Sequence, residues 1–160
     1  MNIKIGLVGL GYVGLPLLVE LSKKFKTIGF DTNKKRVDEL KRKNDRTKQI
    51  TKQKLRNLNI YSQSEKLNDC NVYIVTVPTP ITKNNKPNLK NIITVTNLLA
   101  KKLKPKDTII YESTVFPGCT ENICGKIIEK KRNFILNKDF FLGYSPERIS
   151  PGETTKNIKN

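Results

Sequence analysis

The sequence predicts an α/β fold, a doubly wound parallel sheet of about six strands. Short apolar runs alternate with stretches of helical periodicity along the whole chain. Those runs are rich in β-branched residues and nearly free of charge, as expected of strands covered on both faces. A glycine turn, Gly9-x-Gly11-x-x-Gly14, also stands between the first such run and the first helical stretch.

The first strand is Ile3 to Val8. It leads straight into Gly9-Leu10-Gly11-Tyr12-Val13-Gly14, and Leu17, Leu18, Leu21 and Phe25 follow at the 3,4 spacing of a helix buried along one face. In this context each glycine has its own task. Gly9 permits the tight turn, Gly11 lets a pyrophosphate approach the backbone, and Gly14 lets the helix lie close to the strand. The amides at the start of the helix, at the positive end of its dipole, then face the phosphates. The reading is a Rossmann-type dinucleotide-binding domain over residues 1–152, with 153–160 as the start of a connection.

Thr27 to Asp31 is a second strand ending in an acid. Asp31 follows Gly14 by 17 residues (31 − 14), near the offset of roughly 20 for the carboxylate that takes the ribose hydroxyls. A carboxylate there accepts from a 2′-OH and repels a 2′-phosphate, which favours NAD over NADP. Arg36, behind Lys34 and Lys35, complicates that choice, because it could stack on adenine or pair with phosphate. The alternative for Asp31 is to cap the next helix, Asn33 to Lys43, whose inward face is Val37 and Leu40.

Residues 44–59 are polar and basic, with a weak helical piece around Leu55 and Leu58. Ile60-Tyr61 is a short third strand, and Ser64 to Asp69 one helical turn. Val72 to Val77 is the strongest strand, with five of six residues β-branched, and it ends at Pro78-Thr79-Pro80. Ligands in open α/β sheets bind beyond the carboxyl ends of strands, which places Thr79 where its hydroxyl meets the dinucleotide. The alternative is a rigid turn with a capping threonine. A polar loop from Thr82 to Asn88 precedes a helix from Leu89 to Leu103, with Ile92, Ile93, Val95, Leu98, Leu99 and Leu103 as its apolar side and Pro105 as its stop. Thr108 to Tyr111 is the next strand, leading into Glu112 to Gly118. Cys119 to Lys131 reads as a helix with Ile123, Ile127 and Ile128 inside, and Asp139 to Gly143 as the last strand.

Composition narrows the class. The 160 residues, 36% hydrophobic and 28% charged, suit one globular domain. The net charge of +17, from 31 Lys+Arg against 14 Asp+Glu, favours anionic ligands. The lysines are scattered over helix faces and loops, with no arginine-rich helix and no aromatics interleaved with a basic stripe. A solvated lysine-rich surface is therefore preferred to a nucleic-acid or membrane site. Cys70, Cys119 and Cys124 have no framework spacing, Met1 leads directly into a strand, and no apolar run nears the roughly 20 residues of a membrane span. These features describe a reduced, cytoplasmic protein without a bound metal.

Four motifs in order carry a family resemblance: Gly9-Leu10-Gly11-Tyr12-Val13-Gly14-Leu15-Pro16, Val75-Thr76-Val77-Pro78-Thr79-Pro80, Glu112-Ser113-Thr114-Val115-Phe116-Pro117-Gly118 and Ser145-Pro146-Glu147-Arg148-Ile149. Together they resemble the amino-terminal domain of the nucleotide-sugar 6-dehydrogenases, over essentially the whole chain. The resemblance implies oxidation of a sugar C6 alcohol to a carboxylate in two NAD-dependent hydride transfers, through a cysteine-linked thiohemiacetal and thioester, for surface polysaccharide precursors. It implies that Gly9, Gly11, Tyr12, Val13 and Gly14 hold the pyrophosphate, that Asp31 and Arg36 contact the adenosine ribose, and that Thr79 and Thr114 make further NAD contacts. Thr114 would also order a water near the reacting carbon. Glu147 would assist thioester hydrolysis, and Arg148 and Ile149 would line the sugar nucleotide.

The run Pro146-Glu147-Arg148-Ile149-Ser150-Pro151, with Glu112 and Cys119, resembles the UDP-N-acetylhexosamine branch rather than the UDP-glucose enzymes. The family's nucleophilic cysteine, in a Gly-Gly-x-Cys-type motif, and its catalytic Lys, Asn and Asp fall beyond residue 160. The chain alone is thus expected to be an inactive fragment, and the full-length protein a homodimer with a UDP-sugar substrate. The alternatives are a UDP-glucose 6-dehydrogenase, another NAD dehydrogenase sharing only the glycine fingerprint, a non-catalytic nucleotide-binding module, and a nucleic-acid-binding protein.

Overall fold

The computed structural model describes residues 2–82, 84 and 86–146, and among these six strands form one sheet. They are β1 (Lys4–Val8), β2 (Lys26–Phe30), β3 (Ile60–Tyr61), β4 (Val72–Val75), β5 (Thr108–Tyr111) and β6 (Phe141–Tyr144). All five pairings are parallel, in the order β3-β2-β1-β4-β5-β6. The chain starts at the centre, winds outward through β2 and β3, then crosses back to β4 and winds out the other way. The reversal falls between β1 and β4, where an open α/β sheet leaves a crevice at the carboxyl ends of its strands.

Side-chain alternation along these strands supplies two cores. Val8, Phe30, Tyr73, Val75, Ile109 and Tyr111 point to one face, against α3 (Lys90–Ala100) and α4 (Lys126–Arg132). Ile5, Leu7 and Ile74 point to the other, packed with Leu15 and Leu18 of α1 (Gly14–Leu21) and Val37 and Leu40 of α2 (Lys34–Lys41). Ser64–Asp69 is a 3-10 helix that lays Leu67 and Cys70 into the first core.

Several expectations are corrected. The inward stripe of α1 is Leu15, Leu18 and Val19, while Leu17 and Leu21 are half-buried and Phe25, past the helix end, is 38% exposed. Gly29 of β2 sets this orientation, since a Cβ there would lie 2.5 Å from Leu18 Cδ2. No helix forms around Leu55 and Leu58; turns carry Leu55 into the core. On α3 the buried side is Ile92, Val95, Thr96, Leu99 and Ala100, with Ile93 exposed. Thr96 is admitted because its hydroxyl lies 2.7 Å from the buried Tyr111 hydroxyl. The helix expected from Cys119 begins as a π-helix, Thr120–Gly125. Gly125 packs on Leu142 of β6, where an added Cβ would sit at 3.3 Å, so Cys124 and Ile128 face inward while Ile123 and Ile127 are half-buried. The last strand is Phe141–Tyr144 rather than 139–143.

Leu18→Ala should cost about 3 kcal/mol in urea denaturation, as for a fully buried leucine, and Phe25→Ala less than about 1 kcal/mol. Equal losses would contradict the assigned inward face.

Candidate functional site

A cleft of about 480 Å³ opens at the carboxyl ends of β1, β2 and β4. Its floor is the glycine turn, where Gly9 has φ +102°, a left-handed conformation that favours glycine. Gly9 N–H donates to the Phe30 carbonyl at 2.9 Å, and its own carbonyl accepts from the Thr76 hydroxyl at 2.7 Å. A Cβ on Gly14 would collide with the Gly9 carbonyl and the Thr76 hydroxyl, so only glycine lets α1 start so close to β1. Gly11 differs: a Cβ there would meet nothing within 4 Å. Its missing side chain serves no packing need of the chain itself, which is what a ligand's approach path looks like. Val13, the N-cap of α1, supplies no side-chain cap; Leu15 N–H donates to the Gly11 carbonyl at 3.2 Å and Pro16 carries no N–H, so an anion at this helix start meets the turn amides that precede Leu15.

Asp31 follows β2 directly and bonds back to the turn. Its Oδ2 accepts the Leu10 N–H at 2.9 Å, and its Oδ1 accepts the Asn33 N–H at 2.8 Å. The cap of α2 is Asn33, whose side chain accepts from Arg36 N–H at 3.2 Å. Each Asp31 oxygen retains a further lone pair for a hydroxyl in the cleft. Tyr12, 46% exposed, stands at the mouth.

Arg36 lines the same cleft but is only 4% exposed. Its Nε donates to the Leu10 carbonyl at 2.9 Å, and its terminal nitrogens bond Glu39 and Asp45, each at 2.7 Å. Its nitrogens are thus engaged within the protein and are not presented to the cleft as a free N–H fork. Burial would raise the Asp45 carboxyl, but hydrogen bonds from Thr47, Arg36 and the Ile50 and Thr47 amides outweigh it and hold the pKa below the usual value. Asp45 therefore stabilises the fold above the ordinary carboxylate range, and that contribution is lost as pH falls through the depressed folded value.

Thr79 and Thr114, assigned to separate motifs, are brought together: the Thr79 hydroxyl donates to the Thr114 carbonyl at 2.6 Å. This links the loop after β4 to the loop after β5, and the Thr114 side chain stays exposed. Neither residue lines the 480 Å³ cleft, which takes Thr76, Val77 and Pro78 from the loop after β4. Ser113 ties the loops again, donating to the Val77 carbonyl at 2.7 Å. Glu147, Arg148 and Ile149 lie outside the described residues.

Five contributors were not foreseen. Thr76 was visible only as the hydroxyl residue near the end of an otherwise apolar strand. Asn91 and Thr94 of α3 line the cleft from the far side, and Arg46 and Thr47 from the near side. For those four no sequence signal exists, because the chain returns to the cleft only through its tertiary fold. The cysteines are all buried and unpaired. Burial pushes the Cys70 and Cys119 thiols up to about 11 and Cys124 upward too, the opposite of a reactive thiolate. Among the described residues there is no metal-binding cluster and no helix long and apolar enough to cross a membrane.

A parallel sheet with this strand order, an open glycine turn at its switch point and an acid ending the second strand define a dinucleotide-binding domain. Residues 3–160 match the UDP-glucose/GDP-mannose dehydrogenase family, NAD binding domain, and the chain belongs to that family. The open path over Gly11, the uncapped helix start and Asp31 fit NAD, the cofactor this family binds. The chain is 48% identical over 155 residues to Protein CapL of Staphylococcus aureus, covering 96% of this chain and 37% of that protein. It is 45% identical over 162 residues to the UDP-N-acetyl-D-glucosamine 6-dehydrogenase of Salmonella typhi, covering 99% and 38%. Among solved structures it is similar to the UDP-N-acetyl-mannosamine dehydrogenase Cap5O of Staphylococcus aureus, with TM-score 0.83, 26% identity and coverage of 93% and 38%. The chain thus spans less than two-fifths of each of these proteins.

Gly11→Val should leave the melting temperature within about 2 °C of wild type while abolishing NAD binding in a calorimetric titration, because its side chain points only into open space. Normal NAD binding by the folded variant would remove the pyrophosphate from this turn.

Proposed function

We propose that the chain is the NAD-binding part of a UDP-N-acetylhexosamine 6-dehydrogenase, which oxidises the sugar C6 alcohol to a carboxylate for a surface polysaccharide precursor. The observation that carries the reading is the 2.6 Å bond from Thr79 to Thr114. It makes two motifs, 35 residues apart, into one wall beside the cleft, where a cofactor's reactive end and a second ligand have to meet. The substrate class rests on the relatives from Salmonella typhi and Staphylococcus aureus. UDP-sugars are anionic, which suits a chain of charge +17.

When bound, NAD supplies the hydride acceptor. The residues of this chain bind and orient. The turn from Gly9 to Gly14, with Tyr12 and Val13, and the start of α1 hold the pyrophosphate. Asp31 accepts from the adenosine ribose hydroxyls, and Arg36 presents its face at the same end. Thr79 and Thr114 flank the nicotinamide end, and the exposed Thr114 hydroxyl orders a water near the reacting carbon. Glu147 assists hydrolysis of the acyl intermediate, with Arg148 and Ile149 against the sugar nucleotide. None of Cys70, Cys119 and Cys124 suits the nucleophile's role, so the chain alone binds cofactor without turnover. The full-length enzyme is a cytoplasmic homodimer with no nucleic-acid or membrane partner in this reading.

The direct test is the full-length polypeptide with NAD and, in turn, UDP-N-acetylglucosamine, UDP-N-acetylgalactosamine, UDP-N-acetylmannosamine and UDP-glucose. Two NADH formed per N-acetylated sugar is the expected result. Turnover of UDP-glucose alone, or one NADH per sugar, would overturn the assignment.

Asp31→Ala should weaken NAD binding about 10- to 100-fold and relax discrimination against NADP, since a charged acceptor for ribose is lost. Unchanged affinity and preference would sink the ribose assignment.

A further inference from the structure

The run from Lys41 to Arg56 is strongly basic, yet its one acid, Asp45, is buried and takes five donors. Oδ1 accepts from Arg36 at 2.7 Å, the Thr47 hydroxyl at 2.7 Å and the Thr47 amide at 3.1 Å. Oδ2 accepts the Gln49 and Ile50 amides, each at 3.0 Å. The loop is therefore folded around one carboxylate. Glu39 fastens its start: Oε1 accepts from Arg36 at 2.7 Å and from the Arg46 amide at 2.6 Å, and Oε2 pairs with Arg46 Nε at 2.8 Å. The outcome is that Arg46 and Thr47 stand on the rim of the cleft, beside Asp31, Thr32 and Asn33.

Two arginines line this cleft, and they are not equivalent. The Arg36 side chain is 5% exposed with all its nitrogens engaged, whereas that of Arg46 is 54% exposed and held at Nε. Arg46 keeps an accessible planar face at the end where Asp31 would take the adenosine ribose. Glu39 offsets the charge of Arg46 at Nε, and Asp31 at the same edge of the cleft repels a 2′-phosphate. A flat purine is what such a surface receives.

We propose that residues 45–50 form a wall of the cofactor site, in which Arg46 stacks on the adenine of NAD and Asp45 is the positioning residue that presents it. The proposal rests on the NAD reading of the cleft. Asp45 acts at a distance: it fixes the loop and Arg36, Arg36 fixes Glu39, and Glu39 fixes Arg46.

The test is calorimetric titration of the chain with NAD, ADP-ribose, NADP and nicotinamide mononucleotide. Arg46→Ala should weaken NAD and ADP-ribose by the same factor, about fivefold, the size of an exposed cation–π contact, with nicotinamide mononucleotide unaffected. Asp45→Asn should lose at least as much, and the double variant no more than Asp45→Asn alone, because the two act through one contact. A merely structural role for Asp45 would lower the melting temperature without that non-additivity. Should Asp45→Asn fail to fold, Glu39→Gln replaces it in the same cycle. Wild-type affinity for ADP-ribose in Arg46→Ala, strictly additive losses, or a loss confined to NADP would overturn the proposal. Failure of the NAD reading itself shows separately, as wild-type chain that does not bind NAD or as Gly11→Val that binds it normally.

Discussion

One residue, Leu10, holds the cleft in shape through both of its backbone polar groups. The N–H of Leu10 is bound by the Asp31 carboxylate and its C=O by Arg36 Nε, both at 2.9 Å. A turn through Gly9 and Gly11 is entropically expensive to order, since glycine gives up more conformational freedom than any other residue. Clamping the residue between the two glycines from both sides offsets that loss and fixes the direction in which the following amides point. Asp31 and Arg36 thus serve the turn before they serve any ligand. A carboxylate that orients the glycine turn while lining the cleft couples the turn to the end of β2.

The clamp has a consequence for the rest of the molecule. Holding the Leu10 carbonyl draws a guanidinium into the interior, and a buried cation is tolerated only when its nitrogens are paired. Glu39 one turn along α2 and Asp45 beyond it meet that need, and Asp45 then gathers the loop as far as Ile50. The polar segment between α2 and β3 is ordered by charge rather than by apolar burial, with Leu55 as its main apolar anchor. This reverses the usual ranking, in which surface ion pairs add little. Here the pairs are desolvated and share partners, so removing one member leaves another buried and unmatched.

That division explains what was legible in the sequence. Strands covered on both faces declare themselves by composition, so β1, β2, β4 and β5 were found to within a residue or two, and the doubly wound parallel sheet followed from the alternation with helices. The glycine turn and Asp31 were legible because strand, turn and helix place them by local geometry alone. Inward faces of helices were less so: Ile93 and Phe25 satisfy the spacing but lie outside the contact, and Thr96 breaks the apolar rule because Tyr111 supplies a partner. The segment 44–59 carried only a weak helical signal around Leu55 and Leu58 that no helix follows, since its first part is ordered by one buried carboxylate that gathers donors from its own loop and from Arg36. Arg36 was read from its position as a ligand contact; its burial depends on Glu39 and Asp45, which no local pattern links to it.

The charge of the chain finally makes sense beside the cleft. With 31 Lys+Arg against 14 Asp+Glu, a general positive field attracts any nucleotide, phosphorylated at the 2′ position or not. Such a field is screened over roughly 8 Å at physiological salt and draws ligands in without choosing among them. Choice requires short-range groups of the opposite sign. Three acids of a strongly basic chain, Asp31, Glu39 and Asp45, are concentrated at one edge of the cleft, around Arg36 and Arg46. Two of them pair with Arg36 and Arg46, which would otherwise welcome an extra phosphate, and the third, Asp31, lines the cleft itself. The long-range attraction and the short-range exclusion are therefore separate devices, and only the second depends on the hydrogen-bonded network that starts at Leu10.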